Sequence, residues 1–462
     1  MDSKISSADR YWTFEKISTA FVVSFGKMVQ LLCCLGLAPF YPEEAVERGN
    51  TSIEIGILFG VYPLVGFLCS SFVGKMLSKG YAPKKILLCG LLIDSAFIIL
   101  FSMLYRIHDS TWFFIGSVFC RGFQSVGVTM SSVTYYGIAA ANFPDKMTVF
   151  IPIIETMSGL GVMVGPTIGG ILHEIGGFPT PFLTFAGMTI TFMVIAAISM
   201  PPVKMTDDSV RDSSNVEGGS DSGSIKAIIS DWRMLIDVVT VFTGFVAVSF
   251  NDATLAILLD RFGLNSASKG ATFLISACCY SVASLIYGRI GKIIRDIRIT
   301  AIFGGVCLMI SWAFTSALPL FPFRSQLWLV LLMQAILGIG AGAFYISSYS
   351  HGHTYLTTIK GFPNDYRTYS IMAGVIQSAF FLGSLSGATG GGILLQYLGY
   401  ERTTLVIVAL MGLLTLVVTA TVVSDHLSPP IAETQQEVQI SMSESVKFEN
   451  DFNANESDIR QI

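Results

Sequence analysis

Long apolar stretches alternate with short polar segments from residue 17 to residue 424. Twelve of these stretches are long enough to cross the hydrocarbon core of a bilayer as helices. In chain order they are spans 1 to 12, at residues 17–39, 53–74, 86–106, 112–140, 147–172, 180–200, 234–258, 268–288, 300–320, 326–349, 369–396 and 403–424. The pattern predicts an all-α integral membrane protein with twelve transmembrane helices.

Polar segments divide this pattern into five regions. Residues 1–16 form a predicted N-terminal tail, and residues 17–202 hold the first six spans. Residues 203–231 are acidic and rich in Ser and Gly, which is typical of a disordered linker. Residues 232–424 hold the other six spans, and residues 425–462 form a polar, acidic tail that we expect to be disordered. Because residues 1–16 are polar and span 1 is long, we expect no cleavable signal peptide.

A glycine-rich motif occurs in both sets of six spans. In span 5, Gly161, Gly165 and Gly169 recur every four residues and so form one bare stripe on a helix, beside Pro166 and Gly170. A shift of 222 positions aligns residues 161–177 with residues 383–399, and eight of these 17 positions are identical. The match indicates a duplication, and therefore two pseudo-symmetric halves of the parallel-repeat kind found in transporters. The stripe allows close helix packing in lipid, while the proline bends the helix.

Composition supports this assignment and excludes other classes. The 462 residues are 52% hydrophobic and 13% charged, with a mean hydropathy of +0.64. A net charge of −4 gives no indication of nucleic-acid binding. All eight cysteines lie in apolar spans without metal-site spacing, so we expect no metal and no cofactor beyond a proton gradient. We see no nucleophile–base spacing or phosphate loop, so we do not expect an enzyme.

Basic residues predict the orientation in the membrane. With both termini in the cytosol, 20 of the 28 Lys and Arg residues fall in cytosolic segments and six fall on the opposite side. The sequon at Asn50 then lies on the lumenal or external side as a possible glycosylation site. We expect a monomer in a vesicle-like or lysosome-like membrane, with the plasma membrane as the other possibility.

Several motifs resemble the major facilitator superfamily. The segment from Arg121 through Gln124 to Gly127 in span 4 is similar to the superfamily's RxxQGxG element, and GVMVGPTIGG in span 5 is similar to its antiporter glycine–proline motif. Ser78 and Lys292 stand where the superfamily has gating aspartates, so those loop contacts are not expected here. The resemblance implies the superfamily fold of two six-helix halves.

Within that superfamily, the chain is most similar to the vesicular amine transporter family, especially its polyamine-transporter-like branch. The resemblance is carried by PFYPEEA at 39–45, by NDATLAILLDRFGL at 251–264, and by SQLWL at 325–329, together with the span 5 motif. It implies a proton/amine antiporter of acidic organelles. Relatives specialised for monoamines carry further acids in spans 10 and 11, where this chain has Tyr345 and Gln377, so a polyamine or other amine is the better prediction.

Placing a charged side chain near the bilayer centre costs about 3 kcal/mol or more, so each such residue is expected to have a structural or functional role. The candidates for substrate and proton coupling are Glu155, Asp252, Arg121, Gln124, Asn251, Lys27 and Gln377. Glu155 is the first choice, because a carboxylate in a semi-dry cavity can release its proton when a cationic amine arrives. The alternative is a structural Glu paired with Lys27 or with a backbone group inside the bundle. Gln377 is its counterpart in the repeat and cannot titrate.

Each of the other charged candidates for coupling has two interpretations. Asp252 matches an acidic position of the amine-transporter family, or it simply reaches water near the lumenal third. Arg121 either releases a carboxylate on protonation or forms a fixed ion pair. Lys27 is interpreted as the partner of Glu155 or Asp94.

Aromatic and histidine side chains are further possibilities. Tyr135, Tyr136, Tyr345 and Tyr349 can cage an ammonium group by cation–π contact or can be core residues. Asp237 is interpreted as a solvated residue near a helix end. His351 and His353 are interpreted as loop residues, with pH sensing as the other possibility.

The function predicted from sequence is alternating-access antiport of a small organic cation against protons. Two other hypotheses stay open: exchange of an organic anion bound by Lys27 and Arg121, and a non-transporting membrane sensor that signals through the linker or tail.

Overall fold

The structure, a computed structural model, describes residues 14–143, 146–201, 230–264, 266–291, 293–294, 296–315, 326–362 and 366–427. The described chain is helical and contains no strand. The predicted linker at 203–231 and the predicted tails lie almost entirely outside these residues. The helices are α1 (Phe14–Leu35), α2 (Tyr41–Glu47), α3 (Ser52–Ser78), α4 (Pro83–Ser102), α5 (Ser110–Asn142), α6 (Met147–Gly176), α7 (Pro179–Ser199), α8 (Trp232–Asp260), α9 (Ser266–Ile290), α10 (Arg298–Thr315), α11 (Leu327–Thr354), α12 (Tyr366–Leu385) and α13 (Gly391–Leu427).

Ten helical segments of the described chain are long and apolar enough to cross a membrane. Residues 367–427 count as one such segment, although the chain reverses at Gly399, whose φ of 76° ends the helical conformation. Helix α5 is not among the ten, and its buried face carries hydroxyl groups such as Ser117 and Ser131. The all-α membrane fold is therefore confirmed, while the count of twelve helices stays a prediction.

Local chemistry explains where several helices begin. At the start of α3, the Glu54 backbone N–H donates to the Thr51 hydroxyl at 3.3 Å, and the Thr51 backbone N–H donates to the Glu54 carboxylate at 2.7 Å. At the start of α5, the Trp112 backbone N–H donates to Asp109 at 2.9 Å. These caps satisfy backbone N–H groups that a helix leaves without partners.

The glycine stripe forms the same contact in each half of the chain. Cβ atoms added at Gly161, Gly165 and Gly169 of α6 would clash with the α1 backbone at Met28, Leu32 and Gly36. The repeat-related glycines face α8 in the same way: Cβ atoms on Gly383 and Gly387 would clash with the backbone of Phe242 and Val246, and one on Gly391 would clash with the Phe250 ring. Both rows of partners advance by four residues, so the duplicated sequence forms a duplicated helix pair. Gly170 lies beside this contact, since its Cβ would meet only Pro39, at 3.9 Å.

The two halves, residues 14–201 and 230–427, share one core at the end of the bundle where α1 begins and α13 ends. We call this the terminal end. Its apolar cluster combines Leu77 and Phe143 of the first half with Tyr287 and Leu356 of the second. Towards the opposite end each half has clusters of its own, and one small cluster, which contains Tyr62 and Phe381, still joins the two halves. The halves also pack laterally, α3 against α12 and α6 against α9.

Candidate functional site

Glu155 lies on α6 where the two halves meet. Its carboxylate is 5% exposed and accepts hydrogen bonds from two tyrosine hydroxyls. Tyr136 donates from α5 in the same half, and Tyr280 donates from α9 in the other half at 2.7 Å. Next to it, the Thr156 hydroxyl donates to the Ser281 carbonyl at 2.9 Å, which also joins α6 to α9. The carboxylate is therefore held by both halves at once.

Aromatic rings surround this carboxylate. We call Tyr136, Tyr280, Tyr345 and Tyr349 the tyrosine cluster. The Tyr136 and Tyr345 hydroxyls are 3.3 Å apart across the two halves, and the Tyr136 and Tyr349 rings stack with centroids 5.4 Å apart. Phe245 of α8 closes one side, with its ring centroid 5.9 Å from that of Tyr345. Such a group of π faces around one carboxylate provides the chemistry that binds an ammonium ion.

The sequence identified three of these four tyrosines. Tyr280 was missed, because nothing in a Cys-Cys-Tyr sequence within an apolar span indicates a partner 125 residues away. Tyr135 does not belong to the cluster: its buried hydroxyl points towards Gly26 of α1 and Phe192 of α7. Consecutive residues on a helix point in directions about 100° apart, so Tyr135 and Tyr136 face different neighbours.

Lys27 of α1 lies beside the tyrosine cluster. Its side chain is 5% exposed, its ammonium group donates to the Ser132 hydroxyl, and that group lies 5.6 Å from the centre of the Tyr136 ring. The ion pairs found within the described ranges do not include a Lys27–Glu155 or Lys27–Asp94 pair within 4.0 Å. The Lys27 charge still acts on Glu155, with the Tyr136 ring as their common neighbour.

Arg121 and Gln124 form a separate group in the first half. Arg121 donates to the Gln124 side-chain oxygen at 2.6 Å and to the Cys34 carbonyl at 3.0 Å. Its guanidinium carbon lies 4.5 Å from the centre of the Tyr62 ring. The expected pairing of Arg121 with a carboxylate is not present in this conformation; neutral oxygens and an aromatic face take its place.

Asp252 and Asn251 point in different directions from α8. The Asp252 side chain is exposed, and it lies seven residues, or two helical turns, beyond Phe245 on the same face. Asn251 is 1% exposed and exchanges two hydrogen bonds with Gln334 of α11, at 3.1 and 2.8 Å. These bonds join α8 to α11 in this conformation, and a contact between Asn251 and the substrate stays a prediction.

The structure also corrects the interpretation of two polar groups near the terminal end. Asp237 is not solvated: it is 4% exposed and pairs with His351 at 2.7 Å. His353 stacks on Tyr369, with centroids 3.9 Å apart, and accordingly is part of the packing. Gln377 is buried on α12, at 4% exposure.

Asn50, the predicted glycosylation site, is buried in the folded chain. The residue is 7% exposed, and its side-chain nitrogen donates to the Ser110 carbonyl at 3.2 Å. In the folded chain the sequon is packed against the start of α5, and glycosylation of Asn50 stays a prediction.

Comparison with known proteins agrees with this architecture. The family model for the Major Facilitator Superfamily matches residues 18–362. The human MFS-type transporter SLC18B1 is 26% identical over 398 residues, which cover 85% of this chain and 82% of that protein. The rat synaptic vesicular amine transporter is 22% identical over 367 residues, covering 78% of this chain and 64% of that protein.

Solved structures show the same fold at low sequence identity. The human organic anion transporter MFSD10 superposes with a TM-score of 0.66 at 14% identity, covering 87% of this chain and 99% of that one. A bacterial homologue of the iron transporter ferroportin, in its outward-facing state, gives a TM-score of 0.65 at 13% identity, covering 88% and 99%. The sequence relatives are transporters rather than enzymes. The chain belongs to the Major Facilitator Superfamily and is a multi-pass membrane transporter.

Proposed function

We propose that this transporter exchanges a small organic cation, an amine and most favourably a polyamine, against protons by alternating access. The observation that carries the proposal is Glu155, a buried carboxylate held by tyrosines from both halves. The names of the sequence relatives, among them vesicular amine transporters, support an amine substrate and a vesicle membrane.

The hydrogen bonds at Glu155 supply a coupling mechanism. An ionised carboxylate only accepts, so it can hold the Tyr136 and Tyr280 hydroxyls together. When Glu155 takes up a proton, one of its oxygens becomes a donor and one of these contacts must rearrange. A cationic amine between the tyrosine rings stabilises the ionised form of Glu155, whereas binding of a proton gives its neutral form. Proton and amine thus compete for one group, and the outcome acts on a contact between the halves.

Asp252 extends the same pathway. It lies two turns from Phe245, or roughly 10 Å along α8 at 1.5 Å per residue. A linear polyamine that places one ammonium group in the tyrosine cluster reaches a second carboxylate at that distance. A monoamine gains nothing from it, so Asp252 favours the longer substrate.

The first test is uptake of labelled spermidine and of serotonin into proteoliposomes with an acidic interior. We expect spermidine uptake that stops when the pH gradient is dissipated. Glu155→Gln should abolish this uptake, while Glu174→Gln, an exposed change on the same helix, should retain it. Normal pH-driven exchange by Glu155→Gln would remove Glu155 from the mechanism.

Exchange of an organic anion is the second candidate, favoured by the buried cations Lys27 and Arg121. It predicts that Arg121→Gln mainly lowers substrate affinity, whereas the cation proposal predicts a change in proton coupling. A sensor is the third. Deleting residues 430–462 should leave flux intact in a transporter and abolish the output of a sensor.

A further inference from the structure

A second carboxylate lies in the core of the first half, apart from Glu155. Asp94 of α4 is 1% exposed, and neither of its oxygens makes a hydrogen bond with any residue of the described chain. It is one helical turn beyond Gly90, at the closest approach of α4 and α5. A Cβ on Gly90 would lie 2.7 Å from the Gly127 carbonyl, and one on Gly127 would lie 2.6 Å from the Asp94 backbone nitrogen. Tight packing therefore surrounds this carboxyl group.

The groups that face Asp94 come from three neighbouring helices. Helix α5 supplies Arg121, Tyr135 and the side-chain amide of Gln124, helix α1 supplies Cys33, and helix α3 supplies Tyr62. Helix α7, which also packs on α4, has no ionisable side chain. Arg121 is the one cation in this set. Within the described part of the chain its terminal nitrogens bond Gln124 and Cys34, and its Nε has no partner.

An ionised carboxylate in this place has a large energetic cost. Removing a charge from water without hydrogen bonds or a paired counterion costs several kcal/mol, while a neutral acid avoids most of that cost. The Arg121 guanidinium is near enough for its charge to act on Asp94, but it is turned towards Gln124. In this conformation the neutral, protonated acid is the form that the surroundings accept.

We propose that Asp94 is a second proton-binding site of this transporter, which holds its proton in the present conformation and loses it when Arg121 turns from Gln124 to the carboxylate. In that step the Asp94 O–H bond breaks, the proton passes to water, and the electron pair stays on the carboxylate as the partner of Arg121. The proposal rests on the proposed function for its use of protons. It adds a proton to each cycle beyond the one exchanged at Glu155.

Infrared spectroscopy of the purified full-length protein tests the protonation state directly. A protonated carboxyl group has a carbonyl-stretch band that a carboxylate lacks. We expect Asp94→Asn to remove one such band at neutral pH, and the exposed control Asp109→Asn to leave it in place. An unchanged spectrum in Asp94→Asn would overturn the proposal. Asn matches the shape of the neutral acid, and elution as a single monodisperse species would verify its fold.

Arg121 provides the second measurement. If pairing with Arg121 causes Asp94 to lose its proton, Arg121→Gln should keep the Asp94 band at an alkaline pH where the wild type loses it. Arg121→Lys should lose the band at a pH between those of the other two proteins. Loss of the band at the same pH in all three proteins would contradict the role of Arg121.

Transport then shows whether the proton is used. Asp94→Asn should still take up amine and should lower the number of protons exchanged per amine by one, measured from the gradient that just balances uptake. An unchanged ratio would overturn the coupling role. If the wild type moves no amine at all, the proposed function fails, while the infrared result still decides whether Asp94 is protonated.

Discussion

At the scale of residues, the buried polar groups that join helices divide into neutral pairs and groups that can change their charge. Asn251 and Gln334 exchange two hydrogen bonds, whereas Glu155 receives two donors whose arrangement depends on its charge. The sequence placed all of these in apolar spans, but it did not indicate which polar group would find a partner. That depends on the direction of each side chain from its helix.

The Asn251–Gln334 pair should contribute to stability rather than to transport. Asn251→Leu leaves the Gln334 amide buried without a partner, and we expect a loss of about 1–3 kcal/mol in stability. The double variant Asn251→Leu with Gln334→Leu should recover most of that loss. Thermal unfolding in detergent measures both. Full stability of Asn251→Leu together with lost uptake would instead return Asn251 to the substrate site.

Asp231, which caps α8 outside the membrane-spanning segments, predicts how the stability of the protein depends on pH. Partial burial opposes ionisation of Asp231, but hydrogen bonds from Lys360, Tyr355 and the Arg233 backbone outweigh it and lower the pKa. A lowered pKa in the fold stabilises the protein above the unfolded value of about 3.8, and this contribution is lost as the pH falls through the folded value.

Asp231→Asn keeps the helix cap and removes the charge. We expect it to lower the melting temperature at neutral pH and to have little effect under strongly acidic conditions. A difference from the wild type that is the same at every pH would show that the charge of Asp231 is not involved.

At the scale of elements, the duplicated glycine stripe sets how closely α6 approaches α1 and how closely α12 and its continuation approach α8. The sequence alone revealed both the stripe and its repetition, since period-four glycines are visible without a structure. Which helix they face was not visible. The equivalent reversal points Gly177 and Gly399 both have positive φ, at 71° and 76°, so even the end of the repeat has the same backbone form.

Enlarging one glycine of the stripe should separate a helix pair. A Cβ on Gly169 would clash with the Gly36 backbone, which cannot move aside as a side chain can. We expect Gly169→Ala to cost about 1–3 kcal/mol in stability. Gly392→Ala, at a position with nothing within 4 Å of the added Cβ, is the matched control. Equal melting temperatures for the two variants would show that the α1–α6 contact tolerates extra volume.

At the scale of the whole molecule, the halves share their largest core at the terminal end, and a smaller cluster around Tyr62 and Phe381 also joins them. The closure depends on close backbone contact: a Cβ on Gly74 of α3 would lie 2.7 Å from the Ser370 carbonyl and 3.2 Å from Gly374 Cα. An alternating-access cycle must open this contact and form it again. The sequence predicted that the terminal end faces the cytosol, and that orientation stays a prediction.

Gly74→Val should hold the halves apart at the terminal end. We expect it to stop uptake and to make Ala139→Cys, which is fully buried here, accessible to an impermeant maleimide. The labelling background replaces the exposed residues Cys89 and Cys278 by Ser. Gly56→Val, where an added Cβ meets nothing within 4 Å, is the control and should leave Ala139→Cys unlabelled. Equal labelling in both variants would contradict this account of the closure.

The sequence by itself determined the class of protein, the approximate span boundaries, the duplication and the position of Glu155 in an apolar helix. These follow from composition and from spacing along one helix, which are properties of the chain alone. Only the tertiary structure decided that Tyr280 donates to Glu155, that Asn251 is engaged by Gln334, that Asn50 is covered, and that Asp94 is buried at the contact between α4 and α5. Each of these depends on which face of one helix meets which face of another, and contacts between residues far apart in the chain are fixed by packing rather than by local pattern.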